Sequence, residues 1–313
     1  MKLSIIIPAY NEEGNVELIN ERIKELFGSI TYEAIFINDG SKDKTALELS
    51  KVYKKDQEHV RVINFSRNFG KDAAIYAGLE NATGEYTAII DADMEQDPKY
   101  LLEMISFLEK NKNYDQVAMT IKKRKSGSKI KKLGGKMFYK LINKLSDIKF
   151  QEDASDFRMF RSYVRDAIVN LPEKNRFSKG IFNWIGFNTK YMEYDVGKRN
   201  SGVSKFNFKS SFKYAIEGII GYSVKPLRIA TFTGLFISLI GFIYLLYIII
   251  KTIIIGVDTP GFATIVCLIL FIGGIQLISI GILGEYLAKT FIEVKNRPIY
   301  IASSKLGFEE EIL

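Results

Sequence analysis

Two long stretches without a charged residue lie in the C-terminal third of the chain and restrict its architecture most. Residues 229–250 read IATFTGLFISLIGFIYLLYIII, and residues 259–284 form a second uncharged stretch. At 1.5 Å per helical residue the first stretch spans roughly 33 Å, enough to cross a hydrocarbon layer about 30 Å thick. Helices of a soluble core rarely stay apolar on every face over this length. The sequence therefore predicts two transmembrane helices.

Basic residues flank this predicted hairpin on one side. Two precede the first stretch and three follow the second: Lys225, Arg228, Lys289, Lys295 and Arg297. Because basic residues concentrate on the cytosolic side of a membrane, we predict a multi-pass protein of the inner (plasma) membrane with its N-terminal part and both termini in the cytosol. Residues 206–228 mix Phe and Tyr with Lys, a pattern typical of amphipathic helices that lie in the membrane interface.

The first 120 residues alternate between short β-rich runs and helical patterns. The runs are LSIIIPAY, EAIFIND, VRVINFS, YTAIIDAD and DQVAMTI, and the helical patterns cover residues 13–27, 43–56, 71–81 and 98–111. This alternation predicts an α/β fold, a mostly parallel sheet with helices on both faces. Ligands of such sheets bind beyond the carboxyl ends of the strands. The sequence places polar residues at those ends: Asn11, Glu12, Asp39, Ser66, Arg67, Asp91 and Asp93.

Several ligand classes lose support from the sequence. No G-x-G-x-x-G follows the first strand and no G-x-x-x-x-G-K-[ST] is present, which removes the main evidence for dinucleotide and P-loop sites. The net charge is +8, and residues 122–140 alone contain nine Lys or Arg. Next to a membrane anchor such a basic run favours anionic lipid over nucleic acid. No nucleic-acid partner is predicted.

Asp91 and Asp93 form a D-x-D pair at the end of an apolar run. Carboxylates so close together repel one another unless a cation lies nearby. Their hard oxygen atoms suit Mg²⁺ or Mn²⁺, and such an ion could hold a diphosphate. Acidic pairs are frequent in loops, so the hypothesis depends on the other polar strand ends at the same edge.

Seven segments, in this order, resemble the motifs of one family: PAYNEE, NDGSKDKT, FSRNFGKDAAIYAGLENATGEY, DADMEQDP, DFRMF, RNSGVSKF and LGEYLAKTFIEVKNRPIYI. The chain resembles family 2 glycosyltransferases, and especially the bacterial polyprenyl-phosphate glycosyltransferases related to dolichol-phosphate mannose synthase. The resemblance covers nearly the whole chain, including the two-helix anchor. It implies a GT-A (Rossmann-like) fold, a nucleotide-sugar donor, Mg²⁺ or Mn²⁺ as cofactor, inversion at the anomeric carbon, and undecaprenyl phosphate as the membrane acceptor.

The resemblance also implies partners and leaves alternatives. A homo-oligomer, a tetramer, is expected in the lipid bilayer, together with a flippase and a downstream glycosyltransferase that use the product in the cell envelope. A UDP donor is expected rather than GDP, with glucose and N-acetylglucosamine both open. The other functions considered are a processive polysaccharide synthase, which normally has a Q-x-x-R-W motif absent here, and an inactive nucleotide-binding membrane scaffold.

On matching positions, the resemblance assigns donor-side roles to six residues. The nucleoside pocket and the diphosphate region are expected to involve Pro8, Tyr10, Glu12, Asp39, Asp91 and Asp93. Among these, Asp39 would face the base or ribose, and Asp91 would act at the donor's sugar and diphosphate and in catalysis. Asp93 would be the primary metal ligand, with Asp91 as a further ligand.

The acidic segment departs from the family pattern. The family usually reads D-A-D-x-Q-D-P, whereas this chain reads D-A-D-M-E-Q-D-P. Counting from the first Asp places Glu95 at the third ligand position, and counting back from QDP places Gln96 there. Because Glu is a competent ligand for a hard cation, we predict Glu95 as the ligand, with Gln96 as the alternative.

The acceptor side is assigned to three other segments. Phosphate-binding residues are expected in the basic run and in RNSGVSK: Arg124, Lys125, Ser128, Arg199, Ser204 and Lys205. Asp156 and Arg158 in DFRMF are candidate catalytic residues. A phosphate monoester is largely ionised near neutral pH, so a strong general base is less necessary than for a sugar hydroxyl. Asp156 could position the acceptor, take a residual proton or pair with Arg158, and these alternatives stay open.

The predicted domain organisation follows from these segments. Residues 1–205 form a cytosolic GT-A domain, and residues 206–228 form juxtamembrane amphipathic helices. Residues 229–290 form the transmembrane hairpin, and residues 291–313 form a cytosolic C-terminal tail.

Overall fold

The computed structural model describes residues 2–122, 143–149, 151, 154–197, 218–256 and 261–308. The strands in these ranges are β1 Leu3–Ala9, β2 Tyr32–Asn38, β3 Val60–Phe65, β4 Tyr86–Ile89, β5 Gln116–Ile121, β6 Ala154–Arg161, β7 Thr189–Tyr194 and β8 Ala302–Leu306. The helices are α1 Val16–Phe27, α2 Thr45–Lys55, α3 Lys71–Asn81, α4 Lys99–Lys110, α5 Ser162–Val169, α6 Ser178–Trp184, α7 Lys225–Ile255 and α8 Phe262–Val294. The five strands and four helices predicted for the first 120 residues are all present.

One mixed sheet organises the α/β part of the molecule. Its strand order is β7-β5-β6-β4-β1-β2-β3-β8. Strands β4, β1, β2 and β3 are parallel, whereas β6 runs antiparallel to both β4 and β5, and β8 runs antiparallel to β3. The chain moves from β1 to β2 and β3 on one side and returns to β4 on the other. The strand order therefore reverses beside β1, and sites of doubly wound sheets form at such a reversal.

Helices cover both faces of the sheet, as predicted. On one face Ile5 and Ile7 pack in an apolar cluster with buried residues of α1, α2 and α4. On the other face Ile6 packs in a second cluster with α3, α5 and α6. Since neighbouring side chains of a strand point to opposite faces, a strand covered on both sides must be apolar throughout. This explains the uninterrupted III in β1.

The C-terminal segment contributes a strand to the same sheet. Residues 291–313 are predicted from the sequence as a tail, but residues 302–306 form β8 on the outer edge of β3. The contact includes a side-chain bond from Asn64 Nδ2 to Ser304 Oγ (3.0 Å). A polar five-residue strand has little apolar periodicity of its own. Such a strand forms where an open sheet edge supplies hydrogen-bond partners, so the sequence alone does not reveal it.

Two helices, α7 and α8, form the C-terminal hairpin. Each contains a segment long and apolar enough to cross a membrane, Lys225–Ile255 and Leu268–Val294, and neither segment is buried inside the protein. Helix α7 begins at Lys225, before the predicted boundary at residue 229, and α8 continues to Val294, beyond residue 290. Of the predicted amphipathic region, residues 206–217 lie outside the described residues. The exposed apolar hairpin indicates membrane association.

The end of the hairpin is hydrogen-bonded to the α/β domain. The Glu293 carboxylate of α8 accepts the backbone N–H groups of Lys174 and Asn175 at 2.8–3.1 Å. The Tyr286 hydroxyl donates to the carbonyl of Ser223 at 2.6 Å. The Glu293 bonds hold the loop between α5 and α6 against the end of α8, and the Tyr286 bond joins α8 to the segment just before α7.

A buried carboxylate at the opposite end of the sheet gives a prediction about stability. Glu33 accepts the hydroxyls of Ser4 (2.5 Å) and Thr83 (2.9 Å) and the backbone N–H of Thr83 (2.9 Å). Glu33→Ala leaves these donors without that acceptor, and we expect it to lower the free energy of unfolding by about 2–3 kcal/mol. Chemical denaturation in detergent, followed by circular dichroism, measures the change.

The matched control is Glu25→Ala, which removes an exposed carboxylate paired with Arg22. Exposed pairs contribute about 0–1 kcal/mol, so this variant should unfold close to the parent. Equal shifts for the two variants would contradict the role assigned to the Glu33 network.

Candidate active site

Polar side chains collect at the carboxyl edge of the parallel strands, here called the acidic edge. It comprises residues 10–12 after β1, Asp39 after β2, residues 66–71 after β3 and residues 91–96 after β4. Because parallel strands end at the same edge, residues far apart in sequence meet there.

The acidic edge contains a lysine between two carboxylates. Lys71 Nζ lies 2.6 Å from Asp91 Oδ1 and 3.1 Å from Asp156 Oδ2. Burial alone would raise the pKa of Asp156, but Lys71, Lys179 and Arg158 together lower it to about 2. Burial alone would lower the pKa of Lys71, but the two carboxylates raise it well above its ordinary value. The three groups therefore form a charged cluster with one excess negative charge.

Gln96 forms hydrogen bonds to the backbone and to the second carboxylate oxygen of Asp91. Its Oε1 accepts the Asp91 backbone N–H and its Nε2 donates to Asp91 Oδ2, both at 3.0 Å. Nε2 also lies 3.3 Å from Ser155 Oγ on β6. Gln96 is buried, so its amide fixes the Asp91 carboxylate instead of facing solvent.

The turn between Asp91 and Gln96 is tightly constrained. Met94 has a positive φ of 63°, a conformation that costs energy for most L-residues. The Asp93 carboxylate accepts the backbone N–H of Glu95 at 3.1 Å. The backbone N–H of Gly197 donates to the carbonyl of Glu95 at 2.8 Å, and a Cβ at Gly197 would lie 2.9 Å from the Met94 carbonyl. This turn holds Asp93 and Glu95 beside Asp91.

Asp39 organises the loop after β3. It is 3 % exposed, and its carboxylate accepts the backbone N–H groups of Phe69 (2.6 Å) and Gly70 (3.0 and 3.2 Å). Burial raises the pKa of Asp39, while these two bonds and the charge of Arg67 oppose that increase. Gly70 has a φ of 98°, which favours glycine there. Asp39 thus sets the path of the backbone that leads into Lys71.

The three predicted residues near β1 occupy the same edge. Pro8 and Tyr10 are half-buried. The Glu12 carboxylate accepts the side-chain amide of Asn15 (2.7 Å), and its backbone N–H donates to Thr45 Oγ1 (2.9 Å). Tyr10 and Glu12 therefore lie at the acidic edge, and Pro8 lies in β1 just before it, next to Ala9, which pairs with the residue that precedes Asp39.

The side chain of Arg158 in β6 is buried against Phe182. Its Nη2 donates to the carbonyl of Ser155 (3.2 Å), and its guanidinium lies 3.8 Å from the centre of the Phe182 ring. Of the alternatives considered for Asp156, a pairing with Arg158 is supported only as a longer-range charge interaction, whereas Lys71 lies within hydrogen-bond distance. The acceptor-side candidates Arg124, Lys125, Ser128, Arg199, Ser204 and Lys205 lie outside the described residues.

The three predicted metal ligands do not form a complete metal site by themselves. Within the described ranges, no three His, Cys, Asp or Glu side chains are grouped closely enough to hold an ion, so Asp91, Asp93 and Glu95 do not converge. The Asp91 carboxylate is directed to Lys71 and Gln96 instead. Asp93 and Glu95 still fit a hard cation chemically, because Mg²⁺ sites on nucleotides commonly use one or two carboxylates together with phosphate oxygens and waters.

From the sequence alone, we did not predict that Lys71 belongs to the site, or that Gln96 binds Asp91. The available signal for Lys71 was its place just after Gly70 in the segment that follows β3, at the edge where the carboxylates were expected. Its partners come from β4 and β6, and β6 was absent from the predicted strands. Gln96 was considered only as a ligand, whereas its amide binds Asp91.

The fold and the acidic edge together define an α/β domain with a polar site at one sheet edge, followed by a membrane-associated helical hairpin. The fold resembles that of glucosyl-3-phosphoglycerate synthase from Mycobacterium tuberculosis, crystallised with Mn²⁺, uridine diphosphate and phosphoglyceric acid. That similarity has a TM-score of 0.51 at 17% identity and covers 70% of this chain and 76% of that one. The predicted GT-A architecture is therefore confirmed.

Sequence comparison identifies the family. Residues 4–168 match "Glycosyl transferase family 2" and residues 225–290 match "GtrB C-terminal hairpin". The chain belongs to glycosyl transferase family 2 and is a glycosyltransferase.

Two relatives are similar over nearly the whole chain. The putative glycosyltransferase CsbB of Bacillus subtilis (strain 168) is 44% identical over 302 residues, which cover 96% of this chain and 90% of the relative. The bactoprenol glucosyl transferase of Shigella phage SfII is 41% identical over 305 residues, which cover 96% of this chain and 97% of the relative.

Proposed function

We propose that this glycosyltransferase moves one sugar from a UDP-sugar to undecaprenyl phosphate at the cytosolic face of the membrane. The near full-length similarity to a bactoprenol glucosyl transferase supports a polyprenyl phosphate acceptor and makes glucose the first donor to test. One observation carries the proposal: the same chain has the acidic edge and an exposed apolar hairpin. Glu293 of the hairpin is hydrogen-bonded to the catalytic domain. Such an enzyme can meet a water-soluble donor and a lipid acceptor together.

The reaction breaks one bond and forms one. A phosphate oxygen of the acceptor attacks the anomeric carbon of the donor sugar, the bond from that carbon to the diphosphate breaks, and UDP leaves with inversion. The acceptor phosphate is already largely ionised near pH 7. Asp156, with its pKa lowered to about 2, is a poor base at that pH. Its proposed role is therefore to position the reacting groups.

Donor binding would use the acidic edge. Pro8, Tyr10, Glu12 and Asp39 surround the proposed nucleoside position. Asp93 and Glu95 would hold Mg²⁺ or Mn²⁺ together with the donor diphosphate, and the ion would stabilise the charge on the departing nucleotide. Since the described residues offer no complete metal cage, metal binding should depend on the nucleotide.

A matched pair of variants distinguishes Glu95 from Gln96. If Glu95 binds the ion, Glu95→Ala weakens Mn²⁺ binding in the UDP complex about tenfold or more. Gln96→Ala removes the amide that holds Asp91, and we expect kcat to fall about tenfold or more with Mn²⁺ affinity within threefold of the parent. Isothermal titration calorimetry and initial rates measure both effects. The reverse pattern would assign the ligand position to Gln96.

The proposal is tested with purified protein, Mn²⁺, undecaprenyl phosphate and a panel of nucleotide sugars. We expect release of UDP and a lipid product carrying one sugar, detected by mass spectrometry. A product with several sugars would favour the processive synthase. Absence of turnover with every donor, together with equal metal and nucleotide binding by the parent and Asp93→Ala, would refute the mechanism.

The proposed topology places the catalytic domain and both termini in the cytosol and the tip of the hairpin on the opposite side. The predicted order of the domains, with the hairpin bounds that the structure shows, and the tetramer belong to the same proposal. The net charge of +8 is compatible with a protein that works at an anionic membrane surface.

A further inference from the structure

Hydrogen bonds to the residues directly before and after Lys71 fix the position of its backbone. Lys71 is the first residue of α3 and follows Gly70. The Asp39 carboxylate binds the N–H groups of Phe69 and Gly70 directly before it. The next residue, Asp72, accepts the backbone N–H of Ser178 at 2.9 Å. The start of α3 is therefore bonded both to the end of β2 and to the start of α6.

Of the two carboxylates that contact Lys71, Asp156 lies in β6, and Asp91 follows the end of β4, the neighbouring antiparallel strand. Ile89 of β4 is paired with Arg158 of β6. Continuing this register by two residues brings Asp91 opposite Asp156. Like charges directly opposite each other destabilise a strand pair. Both oxygen atoms lie within hydrogen-bond distance of one nitrogen, so they are roughly 6 Å apart or less, and Lys71 offsets their repulsion.

The side chains of the cluster are partly accessible to solvent. The side chains of Lys71, Asp91 and Asp156 are 43 %, 29 % and 18 % exposed. Because the three side chains are not fully buried, a bound sugar or phosphate could contact the cluster.

We infer that Lys71 is a positioning residue for sugar transfer: it holds Asp91 and Asp156 at a set separation beside the donor sugar. The inference rests on the proposed function and adds to it a residue from α3. Lys71 acts through the two carboxylates, so removing its charge should impair turnover more than nucleotide binding.

The test uses the full-length protein with Lys71→Met, Lys71→Arg, Asp156→Asn and the double variant Lys71→Met/Asp156→Asn. Lys51→Met, a change of an exposed lysine on α2, is the control. We expect Lys71→Met to lower kcat about 100-fold while KM for the donor changes less than threefold. Lys71→Arg, which can donate to two carboxylates, should recover at least about tenfold of that loss.

The double variant separates positioning from an independent role. If Lys71 acts through Asp156, the loss in the double variant should stay within about threefold of the larger single loss. Multiplying losses, absence of recovery by arginine, or a Lys71→Met kcat within threefold of the parent would each overturn the inference. Thermal unfolding and UDP stoichiometry by calorimetry check that each variant is folded.

Failure of the proposed function gives a different result. If the parent transfers no sugar to undecaprenyl phosphate, that function is wrong, and the same variants are compared in the slow hydrolysis of UDP-glucose by water. The inference then requires the same order of rates, with Lys71→Met about 100-fold below the parent. Hydrolysis unaffected by Lys71→Met, or absent from the parent, would refute it.

Discussion

Asp93→Asn is expected to lower sugar transfer about 10³-fold or more, equivalent to about 4 kcal/mol of transition-state stabilisation. Asp93 is 8 % exposed, and its carboxylate accepts the backbone N–H of Glu95. An asparagine oxygen can keep that bond, so the turn should persist. The change removes the negative charge with which Asp93 would hold the cation. Initial rates with Mn²⁺ and the donor identified in the panel measure the effect.

The control for this variant is Asp97→Asn in the same segment. Asp97 accepts the backbone N–H of Lys99 at the start of α4 (3.0 Å), a bond that an asparagine oxygen can also accept. We expect its activity to stay within about threefold of the parent, and calorimetry should show nucleotide-dependent Mn²⁺ binding only for the parent and this control. Mn²⁺ bound equally well by Asp93→Asn would contradict the assignment of Asp93.

Asp39→Asn is expected to have the second largest effect, a fall in kcat/KM of about 10²–10³-fold. The Asp39 carboxylate uses both oxygen atoms to bind Phe69 and Gly70. An amide supplies only one oxygen and turns an N–H₂ group towards one of these donors, so two donors face each other and the shorter bond to Gly70 is lost. The loop that leads into Lys71 should shift, and the nucleoside pocket should change with it.

The experiment measures UDP affinity by calorimetry and kcat/KM in the transfer assay. Asp166→Asn, an exposed aspartate on α5 paired with Arg165, serves as the control and should match the parent in both. Normal UDP affinity and normal kcat/KM of Asp39→Asn would contradict a role of this carboxylate in donor binding.

Reasoning from the sequence succeeded where the signal was local. The strand–helix alternation placed β1 to β5 and α1 to α4, because apolar periodicity reflects burial of nearby residues. It failed for β6 and β8. In β6 the segment DFRMF interrupts its apolar residues with Arg158, which is buried against Phe182, and β8 is a polar edge strand whose partner β3 lies far away in sequence.

In the candidate site, too, local features were predicted and non-local ones were not. The D-x-D pair was recognisable because its carboxylates end an apolar strand. The third ligand position stayed ambiguous between Glu95 and Gln96, since counting along the chain does not reveal where a side chain points. The hydrogen bonds of Gln96 to Asp91 and Ser155 favour Glu95 as the proposed ligand.

The sequence by itself determined the α/β class, the two apolar helices and the position of the acidic pair at a strand end, because each depends on the pattern of neighbouring residues. Only the tertiary structure decided that Lys71 lies between Asp91 and Asp156, and that Glu293 joins the hairpin to the catalytic domain. These contacts depend on how strands pair and where helices begin in space. Charges distant in the chain interact only when the fold brings them within a few ångströms in a partly desolvated site.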